Sequence, residues 1–183
     1  MRSHPRTFQL RGFFIAAFAL AAALFSGGCG EPAQTSSNSV TQASNHTMPQ
    51  PKLRTMKLWV GSEELNVELA LTPVQQSIGM MLRTNLDENA GMFFPLPFTQ
   101  QASFWMKNCP LPLSAAYIDP EGVIAEIHEF QPHNTNSVVA ASNNIRFVLE
   151  TSKGWFERHK VRTGMRVRTE SGTLMDTFFG KGK

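Results

Sequence analysis

Four side chains that could do chemistry lie close together in the chain: Trp105, Lys107, Asn108 and Cys109. A ligand site needs a few rigidly held polar groups against an apolar wall. In an extended strand Trp105 and Lys107 lie on the same side, so the indole can form that wall. Arg83 adds a second cation, and two cations near an aromatic ring suit an anionic or sugar-like ligand. We therefore predict a binding surface formed by Arg83, Trp105, Lys107 and Asn108.

The same residues also fit a structural role. Asn108 would cap a turn, and Trp105 would belong to the core. Lys107 would pair with a carboxylate such as Asp119 or Glu150, because lysine is rarely buried without a partner. Both interpretations remain open at the level of sequence.

Cys109 is the candidate nucleophile of an alternative, enzymatic interpretation, with His128 or His133 as its base. A nucleophilic thiol needs a neighbouring base and a lowered pKa. No histidine lies near Cys109 in the sequence. A buried, inert thiol is the expectation, and no catalytic residue is predicted.

Neither a metal nor a cofactor is predicted. Phosphate-loop, dinucleotide, zinc and hydrolase motifs do not occur in the sequence. Copper(I) accepts thioether ligands, but the methionines of the chain, among them Met80, Met81, Met92 and Met106, fall at core-like positions. We expect them to fill the core.

The elements that position these residues are short. Alternating apolar residues predict a hairpin over 56–60 and 65–71. Thr72 followed by Pro73 and Gln75 predicts a capped helix that ends near 82–83.

Further strands are predicted at the following positions, with Pro95 and Pro97 interrupting the first of them: 92–94, 102–107, 115–118, 123–130, 145–149, 165–168 and 175–179. A second helix is predicted over 152–160, with Ser152 as its cap. Strands this short and frequent favour a mainly β (β-rich α+β) fold. We predict a compact closed or nearly closed β-barrel of about seven short strands with two short peripheral helices.

The chain begins with the features of a secretory leader. Arg2, Arg6 and Arg11 precede an apolar run over 13–25, and Ser26-Gly27-Gly28-Cys29 follows. This run is too short to span a bilayer, which takes about 20 residues. The exit resembles a bacterial lipobox, although Ser26 stands where leucine is usual. We predict a signal peptide over 1–28 and a lipid attached to Cys29.

Charge and composition describe the rest of the chain. The leader holds three of the 17 basic residues and none of the 14 acidic ones, so the mature chain is formally neutral. A neutral surface does not indicate nucleic-acid binding. Residues 29–52 are polar and predict a flexible linker, and residues 53–183 predict one globular domain.

Several motifs in the globular part match a known family: Arg83, Gly91–Phe94, Phe104–Asn108, Pro112-Leu113, Tyr117–Asp119 with Gly122, Val148–Glu150 and Gly154. Over about residues 54–170 the chain resembles the domain of unknown function 192 family. The resemblance implies a small secreted or periplasmic domain with a compact β-barrel, and it implies no established activity. Ser114 departs from the family pattern, which often has aspartate there.

These observations predict a lipid-anchored protein of the bacterial cell envelope, facing the periplasm or the exterior. It would be a monomeric accessory protein that binds a small molecule, a glycan or a protein. The alternatives are an envelope enzyme that uses Cys109 with the Arg83, Lys107 and Asn108 cluster, and a purely structural envelope module.

Overall fold

The structure is a computed structural model that describes residues 47–180. Its elements in chain order are β1 (Thr55–Val60), β2 (Glu63–Leu69), α1 (Pro73–Ile78), β3 (Ala90–Gln100), β4 (Ser103–Phe104), β5 (Leu113–Ile118), β6 (Ile124–Phe130), β7 (Val138–Val139), β8 (Ile145–Ser152), α2 (Trp155–Arg158), β9 (Val167–Thr169) and α3 (Leu174–Phe179). None of the helices in this part of the chain is long and apolar enough to cross a membrane.

Seven strands form one curled sheet in the order β6-β5-β8-β3-β2-β1-β9, and β4 pairs with β7 separately. The β2–β3 pair is parallel, and the other neighbouring pairs of this seven-stranded sheet are antiparallel. The outer strands β6 and β9 approach each other at one end, where Val123 bridges Arg166. There the N–H of Val167 donates to the carbonyl of Gly122 over 2.7 Å. The prediction of a mainly β, barrel-like fold built on about seven strands is confirmed.

The sheet separates two hydrophobic cores. All seven strands contribute to the first, which fills the inside of the curl with side chains such as Leu58, Phe93, Leu149 and Val167. The second lies on the other face of β3, β5 and β8, and includes Phe94, Tyr117 and Val148. Connecting segments cover the second core, and residues of these segments line the candidate site.

The N-terminal hairpin and helix agree with their sequence signals. Thr72 Oγ1 accepts from the N–H of Gln75 over 3.2 Å, and the Gln75 side chain accepts from the N–H of Thr72 over 3.0 Å. This reciprocal capping box is local, so the sequence predicts it well. The predicted end near 82–83 was wrong, because the helix stops at Gly79, whose φ is 49°.

Three other element predictions were wrong. Residues 175–179 belong to helix α3, because Thr173 caps it by accepting from the N–H of Asp176 over 3.1 Å. The molecule therefore has three described helices instead of two. Ser152 does not cap α2: strand β8 runs through it, and Gly154 is the cap. Pro95 and Pro97 do not end β3, although its pairing with β8 is irregular between Pro95 and Gln100.

Candidate functional site

The segment between β4 and β5 lies across the second core and is fixed by backbone hydrogen bonds. The N–H of Met106 donates to Asn134 O over 2.8 Å, and the N–H of Leu82 donates to Asn108 O over 2.7 Å. Asn108 has a left-handed backbone with φ of 56°, which asparagine tolerates better than most residues. Only Ser103–Phe104 of the predicted strand 102–107 is strand. The expected alternation nevertheless holds, since Met106 is buried and Trp105 is exposed.

A groove of about 330 Å³ runs between helix α1 and this segment. Its polar lining is uncharged and consists of Gln76, Ser77, Gln100, Gln101 and Ser103, and its apolar lining consists of Leu96, Ala102, Phe104 and Trp105. Trp105 is 47% exposed, so one wall of the groove is an accessible indole. An aromatic wall beside neutral hydrogen-bonding groups is a chemical setting for a polar, uncharged ligand.

Two glutamines of the groove are held in place by the backbone. The Nε2 of Gln76 donates to Pro95 O over 2.8 Å and to Ala70 O over 3.1 Å. The Nε2 of Gln101 donates to Ala140 O over 2.8 Å. These bonds use the amide nitrogens, so the amide oxygens can accept from a ligand.

A smaller cavity of about 40 Å³ adjoins the groove and shares Gln76, Ser77, Phe104 and Trp105 with it. Its apolar lining includes Met80, Met81, Phe94, Met106 and Leu113. Glu150 also lines this cavity, and it is only 4% exposed. A carboxyl group therefore borders a small space that is otherwise mainly apolar.

The position of Glu150 follows from the sheet register. Glu150 lies in β8, opposite Met92 of β3 and Ala115 of β5. Both neighbours belong to the second core, so the side chain of Glu150 faces that core as well. Burial raises the pKa of Glu150 to about 8. Within residues 47–180 no hydrogen bond or ion pair to its carboxyl offsets this burial.

Lys107 also lines the small cavity, at its exposed end. Its Nζ lies 5.4 Å from the centroid of the Trp105 ring, which is a cation–π distance. The ion pair with Asp119 or Glu150 that the structural alternative requires is not found in the described part of the chain. Two of the predicted binding residues, Trp105 and Lys107, thus lie together at the mouth of the cavity.

Arg83 lies elsewhere. Its Nη2 forms an ion pair with Glu68 over 2.9 Å, and both side chains are about 15% exposed. Arg83 lines a separate depression of about 140 Å³ with residues such as Asn66 and Asp87. The structure therefore does not place Arg83 and Lys107 in one depression. Asn108 connects the two regions through its backbone bond to Leu82.

Cys109 has the environment of a packing residue. It is 3% exposed, and its Sγ lies 3.7 Å from the carbonyl oxygen of Leu111. Burial raises the pKa of this thiol to about 11, which disfavours the nucleophilic thiolate at neutral pH. His128 bonds to Glu126 over 2.8 Å, and His133 contacts Cys109 through a backbone bond. This geometry does not support a thiol–histidine pair.

No group of three or more His, Cys, Asp or Glu side chains suited to a metal occurs in the described residues. The predicted lipid-attachment residue, Cys29, lies outside them.

Comparison with known families identifies the domain. The model of the domain of unknown function 192 family, described as uncharacterized ACR, matches residues 56–169. The chain belongs to this family. The matched range contains Trp105, Lys107 and Glu150, so the groove and cavity belong to the family domain. No curated protein matches the chain.

Solved structures of other proteins resemble this family domain. One, from Sinorhizobium meliloti 1021, is described as a candidate transcription regulator; it is 30% identical, with a TM-score of 0.61, over 66% of this chain and 97% of that one. Another, a protein of unknown function from Novosphingobium aromaticivorans DSM 12444, is 27% identical, with a TM-score of 0.62, over 67% and 91%. These likenesses support the β-rich fold and leave the function of the family open.

Sequence reasoning missed Glu150 as a member of the candidate site and named it only as a possible partner of Lys107. One signal was present, because Glu150 directly follows the apolar residues Phe147, Val148 and Leu149 in β8. A strand buried on both faces leaves no exposed side for a charged residue. The groove could not be predicted from the sequence, because its walls come from two separate segments, residues 76–77 and 96–105.

Proposed function

We propose that this protein is a lipid-anchored binding module of the bacterial cell envelope that takes a glycan in the groove beside Trp105. The observation that carries the proposal is the exposed Trp105 ring on a groove whose polar lining is entirely uncharged. A sugar ring offers an apolar C–H face to an aromatic ring and hydroxyl groups to amides. A neutral sugar matches the uncharged polar lining of the groove.

The proposal differs from the alternatives in what it requires of the residues. An enzyme based on Cys109 requires an accessible, activated thiol, whereas this thiol is buried and its pKa is raised. A purely structural module requires no exposed tryptophan beside a groove. Nucleic-acid binding requires excess positive charge, and residues 29–183 carry 14 basic and 14 acidic side chains.

The envelope location rests on the leader and on Cys29. A lipid on Cys29 would hold the protein at a membrane surface, and the polar residues 29–52 would provide a tether of about 25 Å on average. A tethered domain can reach envelope glycans without leaving its membrane. This arrangement suits an accessory protein that binds a polymer.

The test is a titration of the full-length protein in detergent with an N-acetylglucosamine oligosaccharide. Trp105→Ala is expected to weaken binding about tenfold, which corresponds to the stacking energy of one aromatic ring. Trp59→Ala is the matched control, because Trp59 lies on β1 and lines no part of the groove. Equal affinity of Trp105→Ala and the wild type would exclude this groove as the glycan site.

A further inference from the structure

A buried carboxyl group without a partner needs a physical explanation, because an uncompensated buried charge is strongly unfavourable. Glu150 is 4% exposed, and no described residue bonds to its carboxyl. The cavity beside it opens at Trp105 and Lys107, both of which are exposed. A group that enters from this end can reach a carboxyl to which no residue of 47–180 is paired.

We propose that this cavity is a binding site for an alkylammonium group, with the Glu150 carboxylate as its counter-ion. This inference goes beyond the glycan proposal and does not depend on what occupies the groove. The ligand class is a primary ammonium on a short alkyl chain, either as a free amine or as the end of a lysine side chain.

The size and lining of the cavity fit this group. A water molecule needs roughly 10–15 Å³, so about 40 Å³ holds about three groups of that size, such as an ammonium and the two methylene groups next to it. The thioethers of Met80 and Met106 and the ring of Phe104 provide polarizable walls for the methylene groups. Trp105, at the mouth, can contact the methylene groups that follow through its ring face.

Other cations fit less well. Calcium takes six to eight oxygen ligands and magnesium demands octahedral oxygen coordination. The lining of this cavity includes one carboxylate, and no cluster of three metal-binding side chains of the usual types occurs among residues 47–180. An ammonium group needs only one strong acceptor and an apolar surround.

The charged and titratable groups around Glu150 determine how binding depends on pH. Lys107 and Cys109 come from the segment before β5, and Tyr117 comes from β5 itself. Helix α1 and strand β3 add no charged side chain to the lining. Because the pKa of Glu150 is raised to about 8, its carboxyl is mostly protonated at pH 6 and mostly ionised at pH 9.

The experiment is calorimetric titration of the full-length protein in detergent with n-propylammonium chloride, with potassium chloride as the control salt. Millimolar binding at pH 9 is expected, weakening about 100-fold at pH 6 as the carboxylate takes up a proton. Glu150→Gln should abolish it. Glu121→Gln is the matched control, since Glu121 is exposed in a turn and should leave binding unchanged.

A second variant keeps the test decisive if Glu150→Gln fails to fold. Lys107→Gln removes a like charge from the mouth while leaving the carboxylate, so it should bind the amine two- to fivefold more tightly, as expected for a partly screened charge. If acetyl-lysine amide binds more tightly than propylammonium, the ammonium group comes from a lysine side chain. If it binds equally or more weakly, the ligand is a free amine. The proposal is overturned if no saturable binding occurs at pH 9, or if folded Glu150→Gln binds like the wild type.

Discussion

Glu150 is a carboxyl group in the second core, and its burial affects stability as well as binding. Its pKa is about 8 in the folded protein against an ordinary value of 4.5. In the unfolded chain the group ionises from about pH 4.5 upward, whereas in the folded protein it stays protonated until near pH 8. Ionisation therefore favours the unfolded state as the pH rises through this window, and stability is lost.

This reasoning predicts the effect of Glu150→Gln on the pH dependence of stability. At low pH the wild-type carboxyl is neutral in both states, so the variant removes no ionisation penalty there. Relative to the variant, the wild type should lose about 3 kcal/mol of unfolding free energy between pH 4.5 and 7. Denaturant titrations of both proteins across this range measure it. Parallel pH profiles would show that the Glu150 carboxyl is not held neutral by burial.

The sequence contains part of this residue-scale information. Trp105 and Lys107 were predicted together because strand alternation is local, and the structure places both at one cavity mouth. Arg83 was grouped with them by residue type, but the structure pairs it with Glu68 in a separate depression. Residue type cannot show which carboxylate a cation will pair with, because the folding of distant segments decides it.

At the scale of elements, helix α1 forms one side of the groove through Gln76 and Ser77. The helix has only six residues, and a helix this short depends on its cap and on tertiary packing. The capping box of Thr72 and Gln75 satisfies N–H groups at its start. Gln76 then anchors the helix to β3 through Pro95 O.

Thr72→Ala should therefore destabilise helix α1, which forms one side of the groove, and with it the domain. Loss of the cap is expected to cost about 1 kcal/mol and to lower the melting temperature by about 3–5 °C. Thr163→Ala is the control, because Thr163 is an exposed loop residue. Thermal denaturation measures both variants, and equal melting temperatures would mean that the cap does not stabilise α1.

The elements also show where local sequence signals fail. The apolar run over 175–179 fits a strand or a helix, and the hydrogen bonds of Thr173 with Asp176 select the helix. Prolines usually interrupt strands, but β3 continues past Pro95 with irregular pairing. Short apolar runs are ambiguous in this way, because tertiary packing decides their conformation.

At the scale of the whole molecule, the stretch of chain just before β1 packs against the domain. Gln50 is buried, and its Nε2 donates to the carbonyl oxygen of Gly79 over 2.8 Å. This contact fixes the chain just before β1 to the turn after α1. The proposed membrane tether therefore joins the domain close to helix α1, which lines the groove.

Cys29→Ser should release the protein from membranes, since the proposed anchor is the lipid on this residue. Cys109→Ser is the matched control, because its side chain is buried in the domain. Fractionation of cells that express each variant, followed by a high-salt wash, measures the effect. Retention of the Cys29→Ser protein in the washed membranes would contradict the anchor.

The central claim is that the groove at Trp105 binds a glycan, and the indole N–H signals of the protein test it most directly. The domain has tryptophans at 59, 105 and 155, and Trp155 is fully buried. In the full-length protein labelled with 15N-tryptophan, titration with an N-acetylglucosamine oligosaccharide should shift the Trp105 signal and leave those of Trp59 and Trp155 in place. Shifts confined to Trp59, or no shift at saturating oligosaccharide, would contradict the claim.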